Sequence, residues 1–295
     1  MTLSDYQLRA AETDFVDDDE RGLMVALLGL AGEVGELVTE QKKRLRDGEA
    51  YGAFEGRVAE ELGDLLWYVA GVARRHGLDL DEVAAQNLEK NRARWSERRV
   101  PPPPLDEGFE EHEQLPAVVE AVLEDVETPD GPAMVARVDG EQMGATLTDN
   151  ARDDDGYRFH DVFHLANAAV LGWSPCIRAI LGRKRKSDAL ADEVEDGGRA
   201  AAIEEGVVAL VWSHARDRNF YDGVESVDDD LLRTVRAMTA HLEVSDRTAA
   251  DWERAILSGF AVWRQVWAAG GGVITADRRR GTISYSPLPE AELAA

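Results

Sequence analysis

Two stretches decide the fold of the first third of the chain: LGLAGEVGELV at residues 28–38 and RVAEELGDLLWYVAGVARRHG at residues 57–77. Both repeat apolar residues at the three- and four-residue intervals of an amphipathic helix. The first pattern closes at Gly48 and the second at Gly77, and glycine just past a helical pattern is a common C-terminal signal. Each stretch therefore predicts a long helix, and the short connection between them predicts antiparallel neighbours.

Two further helical patterns flank this pair. One opens the chain, and the other begins after Leu80 and runs to Trp95, with Asp81 in position to cap its N-terminus. The predicted helices are 3–15, 21–47, 55–76 and 80–97. Because short connections place successive helices side by side, residues 1–97 are expected to form an all-α four-helix bundle.

A proline-rich segment follows the predicted bundle. Pro101–Pro104 are four consecutive prolines, which favour extended polyproline II backbone and cannot continue a helix. The residues around them are polar and acidic. Residues 98–114 are therefore predicted to be a linker.

The remaining residues, 115–295, mix strand-like and helical patterns. Strands are predicted at 117–126, 133–138, 142–148, 272–277 and 281–286. Helices are predicted near 158–171, 174–183, 198–215, 228–242 and 247–269. Asp139-Gly140 and Arg280-Gly281 are hairpin signals. The predicted fold is mainly α, with an α-rich C-terminal domain whose last hairpin pairs with its first strands in a small antiparallel β-sheet.

Four carboxylates stand out on the two central helices. Glu33 and Glu36 are spaced i, i+3, and so are Glu61 and Asp64, so each pair projects from one face of its helix. Their neighbours are mostly apolar residues or glycine. Four carboxylates converging beside a core would repel one another and lose solvation unless a cation neutralised them. A hard dication with oxygen ligands, Mg²⁺ or also Mn²⁺, fits this set.

Glycines near these acids support the same interpretation. They are Gly29, Gly32, Gly35 and Gly63. Glycine in a helix interior costs about 1 kcal/mol relative to alanine, so the cluster predicts a close approach of the two helices. The alternative for the acids is a solvated acidic face without a ligand, but two such pairs on consecutive amphipathic helices favour metal.

With these motifs in place, residues 2–96 resemble the MazG-type family of all-α nucleoside triphosphate pyrophosphohydrolases. The resemblance rests on LSDYQLRAAETDF at 3–15, on the paired ExxE and ExxD motifs, and on the helix that ends in QNLEKNRARW at 86–95. It implies that the four acids bind the metal and that a nucleoside triphosphate is cleaved to monophosphate and pyrophosphate. It also implies a homodimer or higher homo-oligomer.

Roles for individual residues follow from this chemistry. A carboxylate not fully used as a ligand would accept the proton of the attacking water, and Glu36 and Glu61 are the candidates for this catalytic role. Glu60 points about 100° away around the helix and ranks below them.

Polar residues of the fourth helix, together with one lysine of the second, are candidates for phosphate binding. The predicted substrate-binding residues are Lys43, Asn87, Lys90 and Arg94. The resemblance implies Lys43, Asn87 and Lys90 in this role. Arg94 is expected on the same helix face as Asn87 and Lys90. The alternative for them is a solubilising cationic face. Trp67 and Tyr68 are interpreted as core residues, with stacking on a base as the alternative.

The second half carries one further chemical motif. In YRFHDVFHLA at 157–166, His160 and His164 are spaced i, i+4 on a predicted helix, and this spacing can bind a metal. The favoured interpretation places both histidines in a hydrogen-bonded core. The alternative is a second metal site of His160, Asp161 and His164, which acids such as Glu204 and Glu205 could complete. This half resembles the C-terminal extension fused to some bacterial MazG-type proteins.

The composition excludes several classes of function. The net charge is −25, from 58 acidic and 33 basic residues, so the chain is expected to repel duplex nucleic acid. The basic run Arg183–Lys186 is interpreted as balancing nearby acids rather than binding phosphate or RNA. A single cysteine, Cys176, excludes an internal disulfide and a cysteine-based zinc site. The chain shows neither a signal-peptide pattern nor a long uninterrupted apolar run, so a cytoplasmic protein without a membrane span is expected.

These observations predict an enzyme that removes surplus or non-canonical nucleotides in a Mg²⁺-dependent reaction. The alternative is a nucleotide-sensing regulatory or interaction protein that binds nucleotide with little turnover. A further metal enzyme in the second half is a third hypothesis.

Overall fold

The computed structural model describes residues 1–95, 101–129 and 131–289, without the side chains of 93–95. The chain divides into two compact units, Met1–Arg92 and Ala93–Ala295. The first unit is helical in its described part, and the second joins helices to an antiparallel sheet. The predicted fold class is confirmed.

The helices of the first unit are α1 (Leu3–Ala10), α2 (Glu20–Asp47), α3 (Phe54–Arg75) and α4 (Leu80–Trp95). The prediction of one helix over 3–15 was wrong at its end, because α1 stops at Ala10 and a single 3-10 turn follows. Thr2 and Asp5 form a reciprocal capping box at the start of α1. The side chain of Asp19 accepts a hydrogen bond from the Gly22 amide and so caps α2.

The two long helices, α2 and α3, approach closely at one glycine. A Cβ atom on Gly29 would lie 2.1 Å from the Tyr68 ring, so only glycine leaves room for that ring. The expectation of close approach was wrong for the other three glycines. Around Gly32, Gly35 and Gly63, nothing in the described residues lies within 4 Å of an added Cβ atom.

A buried ion-pair network fastens the segment before α2 to the end of α3. The Asp14 carboxylate accepts hydrogen bonds from Arg74 at 2.8 Å and from Arg75 at 2.6 Å. The side chains of Asp14 and Arg75 are 5% and 3% exposed, so water screens their pairing weakly. The hydrogen bond from Arg75 outweighs burial and lowers the pKa of Asp14 to about 2.

The hydrophobic core of the first unit is small. Its main cluster of buried apolar residues consists of Ala10, Ala70, Ala73 and Leu80. By contrast, apolar side chains of α2 form an exposed stripe about 120° wide. We call this set the α2 stripe: Met24, Leu27, Leu28, Val34, Val38 and Leu45. Glu20–Ala50 also contains an 18-residue window with a mean hydropathy of 1.5, which by length and composition could cross a membrane, although many core helices pass the same test.

The second unit contains a five-stranded antiparallel sheet. Its strands are β1 (Val118–Thr128), β2 (Gly131–Val138), β3 (Glu141–Leu147), β4 (Gly271–Asp277) and β5 (Thr282–Ser286). The strand order is β3-β2-β1-β4-β5, so β1 lies between the first and last hairpins. Ala121, for example, pairs with Val138 on one side and Ile274 on the other. The prediction that the last hairpin joins the first strands is confirmed.

The second unit has five α-helices in its described part. They are α5 (Asp161–Val170), α6 (Pro175–Ile180), α7 (Gly198–Arg216), α8 (Asp229–Met238) and α9 (Ala249–Ala269). Of these, α5 and α9 pack on the sheet. All residues of α5 are buried, because it packs between the sheet, α9 and α7. An aromatic group that includes Phe163, Trp212 and Trp263 fills this core.

The prediction of a linker over 98–114 was wrong for the described residues from 101 onward, because these residues pack within the second unit. Asp106 is fully buried and accepts hydrogen bonds from Arg178 at 2.6 Å and Arg278 at 2.5 Å. Arg247 donates to the Pro103 carbonyl at 2.8 Å. Residues 98–100 lie outside the described residues.

One residue of the basic run 183–186 is also buried in the second unit. Arg185 is buried and donates to Asp196 and Glu243 at 2.7 Å each. For Arg185 this supports the interpretation that the run balances nearby acids.

We expect Asp14→Asn to destabilise the first unit in a pH-dependent way. Because the pKa of Asp14 is about 2 when folded and 3.8 ordinarily, its contribution is present above pH 3.8 and is lost as the pH falls toward 2. The loss of unfolding free energy at neutral pH should be about 2 kcal/mol. Circular dichroism during urea denaturation at several pH values measures it, with exposed Asp17→Asn as the control. A deficit that stays constant between pH 5 and pH 2 would contradict this.

Candidate metal and nucleotide site

The helices α2 and α3 bring three of the four predicted carboxylates together. Oxygen atoms of Glu33, Glu61 and Asp64 all lie within 4.8 Å of one another. Glu36 lies outside this close set but is near enough for its charge to act on Glu61. The i, i+3 spacing places Glu61 and Asp64 on one face of α3, and Glu33 of the adjacent α2 joins them, so three of the four acids that were expected to converge lie together.

The electrostatics of the set favour a bound cation. Partial burial and the negative charges of Glu33, Glu36 and Asp64 raise the pKa of Glu61. Among the described residues, no Lys or Arg side chain forms an ion pair with Glu33, Glu61 or Asp64. Oxygen donors at this separation suit a hard dication such as Mg²⁺ or Mn²⁺, which would supply the missing positive charge.

Two neighbours of the acids are engaged elsewhere. Glu60 forms an ion pair with Arg57 at 2.7 Å on the exposed side of α3. Lys43, a predicted phosphate ligand, donates to buried Glu40 at 2.5 Å, and this hydrogen bond raises the pKa of Lys43. Tyr51 donates to the same Glu40 carboxylate. Lys43 is therefore held beside the acidic site rather than extended into solvent.

The predicted substrate ligands of α4 lie on its surface. Asn87 and Lys90 are exposed, and Asn87 accepts a hydrogen bond from Asn91 at 2.9 Å. Arg94 belongs to α4, but its side chain lies outside the described part of the chain.

Aromatic residues border the acidic set. Trp67 donates to the Thr13 hydroxyl at 2.9 Å, and Tyr68 packs over Gly29, so both make the internal contacts expected of packing residues. Tyr6 was missed by sequence reasoning. Burial and the charge of Asp64 raise the pKa of Tyr6, which places this phenol beside the site. The sequence of α1 gives no sign of this role for Tyr6, because only the packing of α1 on α3 brings Tyr6 toward Asp64.

A second group of possible metal ligands lies in the second unit. Nitrogen and oxygen atoms of His160, His164 and Glu205 all lie within 4.8 Å of one another. Glu205 takes the place expected for Asp161, because Asp161 directly follows His160 and is rotated about 100° from the histidine face of α5. Tyr157, three residues before His160, stacks on that ring at 4.7 Å and was also missed.

Family comparisons agree with both halves of this description. The family model for the MazG nucleotide pyrophosphohydrolase domain matches residues 23–98. The model for the MazG C-terminal domain matches residues 100–289, which is more than half of the chain. The chain belongs to the MazG family.

One curated protein is similar to part of the chain. The Gene 37 protein of Mycobacterium phage L5 is 36% identical over 96 residues, which is 30% of this chain and 84% of the phage protein. No solved structure matches the chain. All four predicted metal ligands lie within the residues matched to the MazG nucleotide pyrophosphohydrolase domain, and the histidine group lies within the MazG C-terminal domain.

We expect Glu61→Gln to weaken Mg²⁺ binding by the chelator-treated chain, because it removes one of three converging oxygen ligands. Loss of an outer-shell partner alone costs about 10–100-fold in metal affinity, so loss of a ligand should cost at least roughly tenfold. Titration calorimetry with Mg²⁺, repeated with Mn²⁺, measures this. The adjacent Glu60→Gln is the matched control and should bind as wild type does. Equal affinity in both variants would exclude Glu61 as a ligand.

Proposed function

We propose that the MazG domain of this chain hydrolyses nucleoside triphosphates to monophosphate and pyrophosphate with Mg²⁺. The observation that carries the proposal is the convergence of Glu33, Glu61 and Asp64 within 4.8 Å inside the matched pyrophosphohydrolase domain. No Lys or Arg side chain in the described part of the chain forms an ion pair with these three acids, so their negative charge is uncompensated there. A Mg²⁺-bound triphosphate is a ligand that restores charge balance there.

Each carboxylate has a role in this reaction. Glu33, Glu61 and Asp64 would hold Mg²⁺, which supplies positive charge that offsets the triphosphate and activates water. Water attacks the α-phosphorus, a new P–O bond forms, and the bond to the bridging oxygen of the pyrophosphate breaks. Glu36, which lies outside the close set, accepts the proton of the attacking water.

The substrate would be held by residues of α4 and the end of α2. Asn87 and Lys90 offer an amide and an ammonium group at i, i+3 on the exposed surface of α4. Lys43 would reach the phosphates by exchanging Glu40 for a phosphate oxygen, and Arg94, whose side chain lies outside the described residues, stays a predicted ligand. The biological role proposed is the removal of surplus or non-canonical nucleotides in the cytoplasm.

We also propose that the first unit works as a homo-oligomer. Its cluster of four buried apolar residues is a small core for a unit of this length. The α2 stripe leaves apolar area in water on the side of α2 away from Glu33 and Glu36, where a second copy would cover it. A membrane is the other occupant compatible with so apolar a helix.

Release of pyrophosphate tests the proposed reaction. Wild type with Mg²⁺ and a panel of nucleoside triphosphates should yield monophosphate and pyrophosphate in equal amounts. Glu36→Gln should lower kcat by about 10²-fold or more, the range of a lost general base. Glu60→Gln is the control. Tight nucleotide binding without any product across the panel would instead favour the sensor hypothesis, and full activity in Glu36→Gln would remove its assigned role.

The oligomer is tested by light scattering. Wild type should contain at least two copies, and Leu28→Glu should shift the mass toward one copy, because it places a charge on a side chain that is 65% exposed in the single chain. Leu190→Glu, on an equally exposed leucine of the second unit, should leave the mass unchanged. A monomeric wild type that sediments with lipid vesicles would assign the stripe to a membrane.

A further inference from the structure

The second unit contains two histidine rings that face one carboxylate. His160 immediately precedes α5 and His164 lies one turn further along, while Glu205 comes from the middle of α7. The Nε2 atom of His164 lies 3.4 Å from one Glu205 oxygen, and the Nε2 atom of His160 lies 3.9 Å from the other. The Glu205 carboxylate therefore lies near the Nε2 atom of both rings.

The opposite ring nitrogen of each histidine lies close to an acceptor. Nδ1 of His160 lies 2.9 Å from the Tyr157 carbonyl, which can only accept a hydrogen bond. Nδ1 of His164 lies 3.0 Å from the Glu204 carboxylate. In the tautomer with a proton on each Nδ1, the Nε2 lone pair of both rings is available to a metal. Metal-binding histidines commonly have this form, with the protonated nitrogen oriented by a carbonyl or carboxylate.

Glu204 is suited to orient His164 rather than to bind the metal itself. It is fully buried, and its oxygens accept hydrogen bonds from Asn167, from the Ser174 hydroxyl and from the Cys176 amide. These contacts fix the carboxylate in position and satisfy most of its acceptor capacity. Burial raises the pKa of the adjacent Cys176 thiol to about 12, so this side chain stays a neutral thiol near neutral pH.

The geometry at His164 is unusual for a simple ion pair. This ring is 1% exposed, yet neither of its nitrogens has a hydrogen bond of proper direction in the described part of the chain. The carboxylate oxygens are close to it but lie off the N–H directions. Buried polar atoms are almost always hydrogen-bonded, so an unsatisfied Nε2 atom aimed into an acidic cluster indicates a missing ligand.

The distances fit an ion between the donors. Two ligand atoms about 2.1 Å from one tetrahedral ion lie about 3.4 Å apart, which matches the separation of His164 Nε2 from Glu205. The His160 contact at 3.9 Å needs a shift of only about half an ångström to reach that value. The Glu205 side chain is 49% exposed, so ions and solvent can reach the cluster from this side.

We propose that His160, His164 and Glu205 form a binding site for a first-row transition-metal dication such as Zn²⁺ in the MazG C-terminal domain. Two imidazoles and one carboxylate are the donors that such ions prefer, whereas Mg²⁺ prefers oxygen ligands of the kind found on α2 and α3. Three protein ligands beside an exposed edge leave a coordination position for water or a small anionic ligand.

The experiment uses the full chain, treated with chelator and then titrated with Zn²⁺ alone. To keep the carboxylates of the first unit from contributing, the titration is carried out in Glu61→Gln, and one equivalent should bind to the second unit. His160→Gln and Glu205→Gln should each weaken this binding by at least about 100-fold, since loss of an outer-shell partner alone costs about 10–100-fold. His241→Gln and Glu193→Gln, both on the surface, are the matched controls.

Co²⁺ gives an independent readout of the same site. Bound Co²⁺ should show a visible absorption spectrum typical of nitrogen ligation, and both ligand variants should lose it while their near-ultraviolet circular dichroism stays as in wild type. Folded variants that bind Zn²⁺ as tightly as the controls do would overturn the proposal. Absence of Zn²⁺ binding by the parent chain would also overturn it and leave a protonated His164 between two glutamates as the explanation. Neither result depends on nucleotide hydrolysis.

Discussion

The requirement that crowded carboxylates be neutralised organises this molecule more than any other interaction. With 58 acidic residues against 33 basic ones, the chain cannot give every acid a cationic partner. At three buried acids that support the fold, an arginine forms the ion pair: Arg75 with Asp14, Arg178 with Asp106, and Arg185 with Asp196. Where acids converge without one, as at Glu33, Glu61 and Asp64, repulsion has to be offset from outside the chain. Among the described residues, these three converging acids have no Lys or Arg partner, and this marks them as candidate ligands.

Local patterns predicted most of the secondary structure and the acidic site, for a physical reason. The i, i+3 spacing of Glu33 and Glu36 and of Glu61 and Asp64 fixes their directions before any packing is known. The central position of β1 could be anticipated because both terminal hairpins had clear turn signals. The same reasoning selected His160 and His164, because their i, i+4 spacing places both side chains on one face within a single helical turn.

Long-range packing accounts for what the sequence did not predict. The segment after the four prolines has a linker-like composition, yet Asp106 is buried because its two arginines lie 72 and 172 residues further along the chain. Of the four glycines near the acids, only Gly29 faces a ring, and the partner Tyr68 lies on another helix. Glu205 replaces Asp161 as a candidate ligand because the packing of α7 on α5, rather than adjacency in sequence, brings it to the histidines.

The two acidic sites differ in donor chemistry, and this difference bears on what the C-terminal domain does. A site of oxygen donors at the surface of two helices suits a hydrated ion that arrives with a phosphate ligand. A site with two imidazoles, one ring fully buried and oriented by a saturated carboxylate, suits an ion that stays with the protein. Asn167, Ser174 and Cys176 donate hydrogen bonds that hold the Glu204 carboxylate beside the buried His164 ring. A residue that only packs would not need this support. A hydrophobic side chain would fill the place of His164 without the desolvation cost of its polar atoms. A polar cluster that extends from buried His164 and Glu204 to half-exposed Glu205 is therefore better explained by a chemical role than by stability.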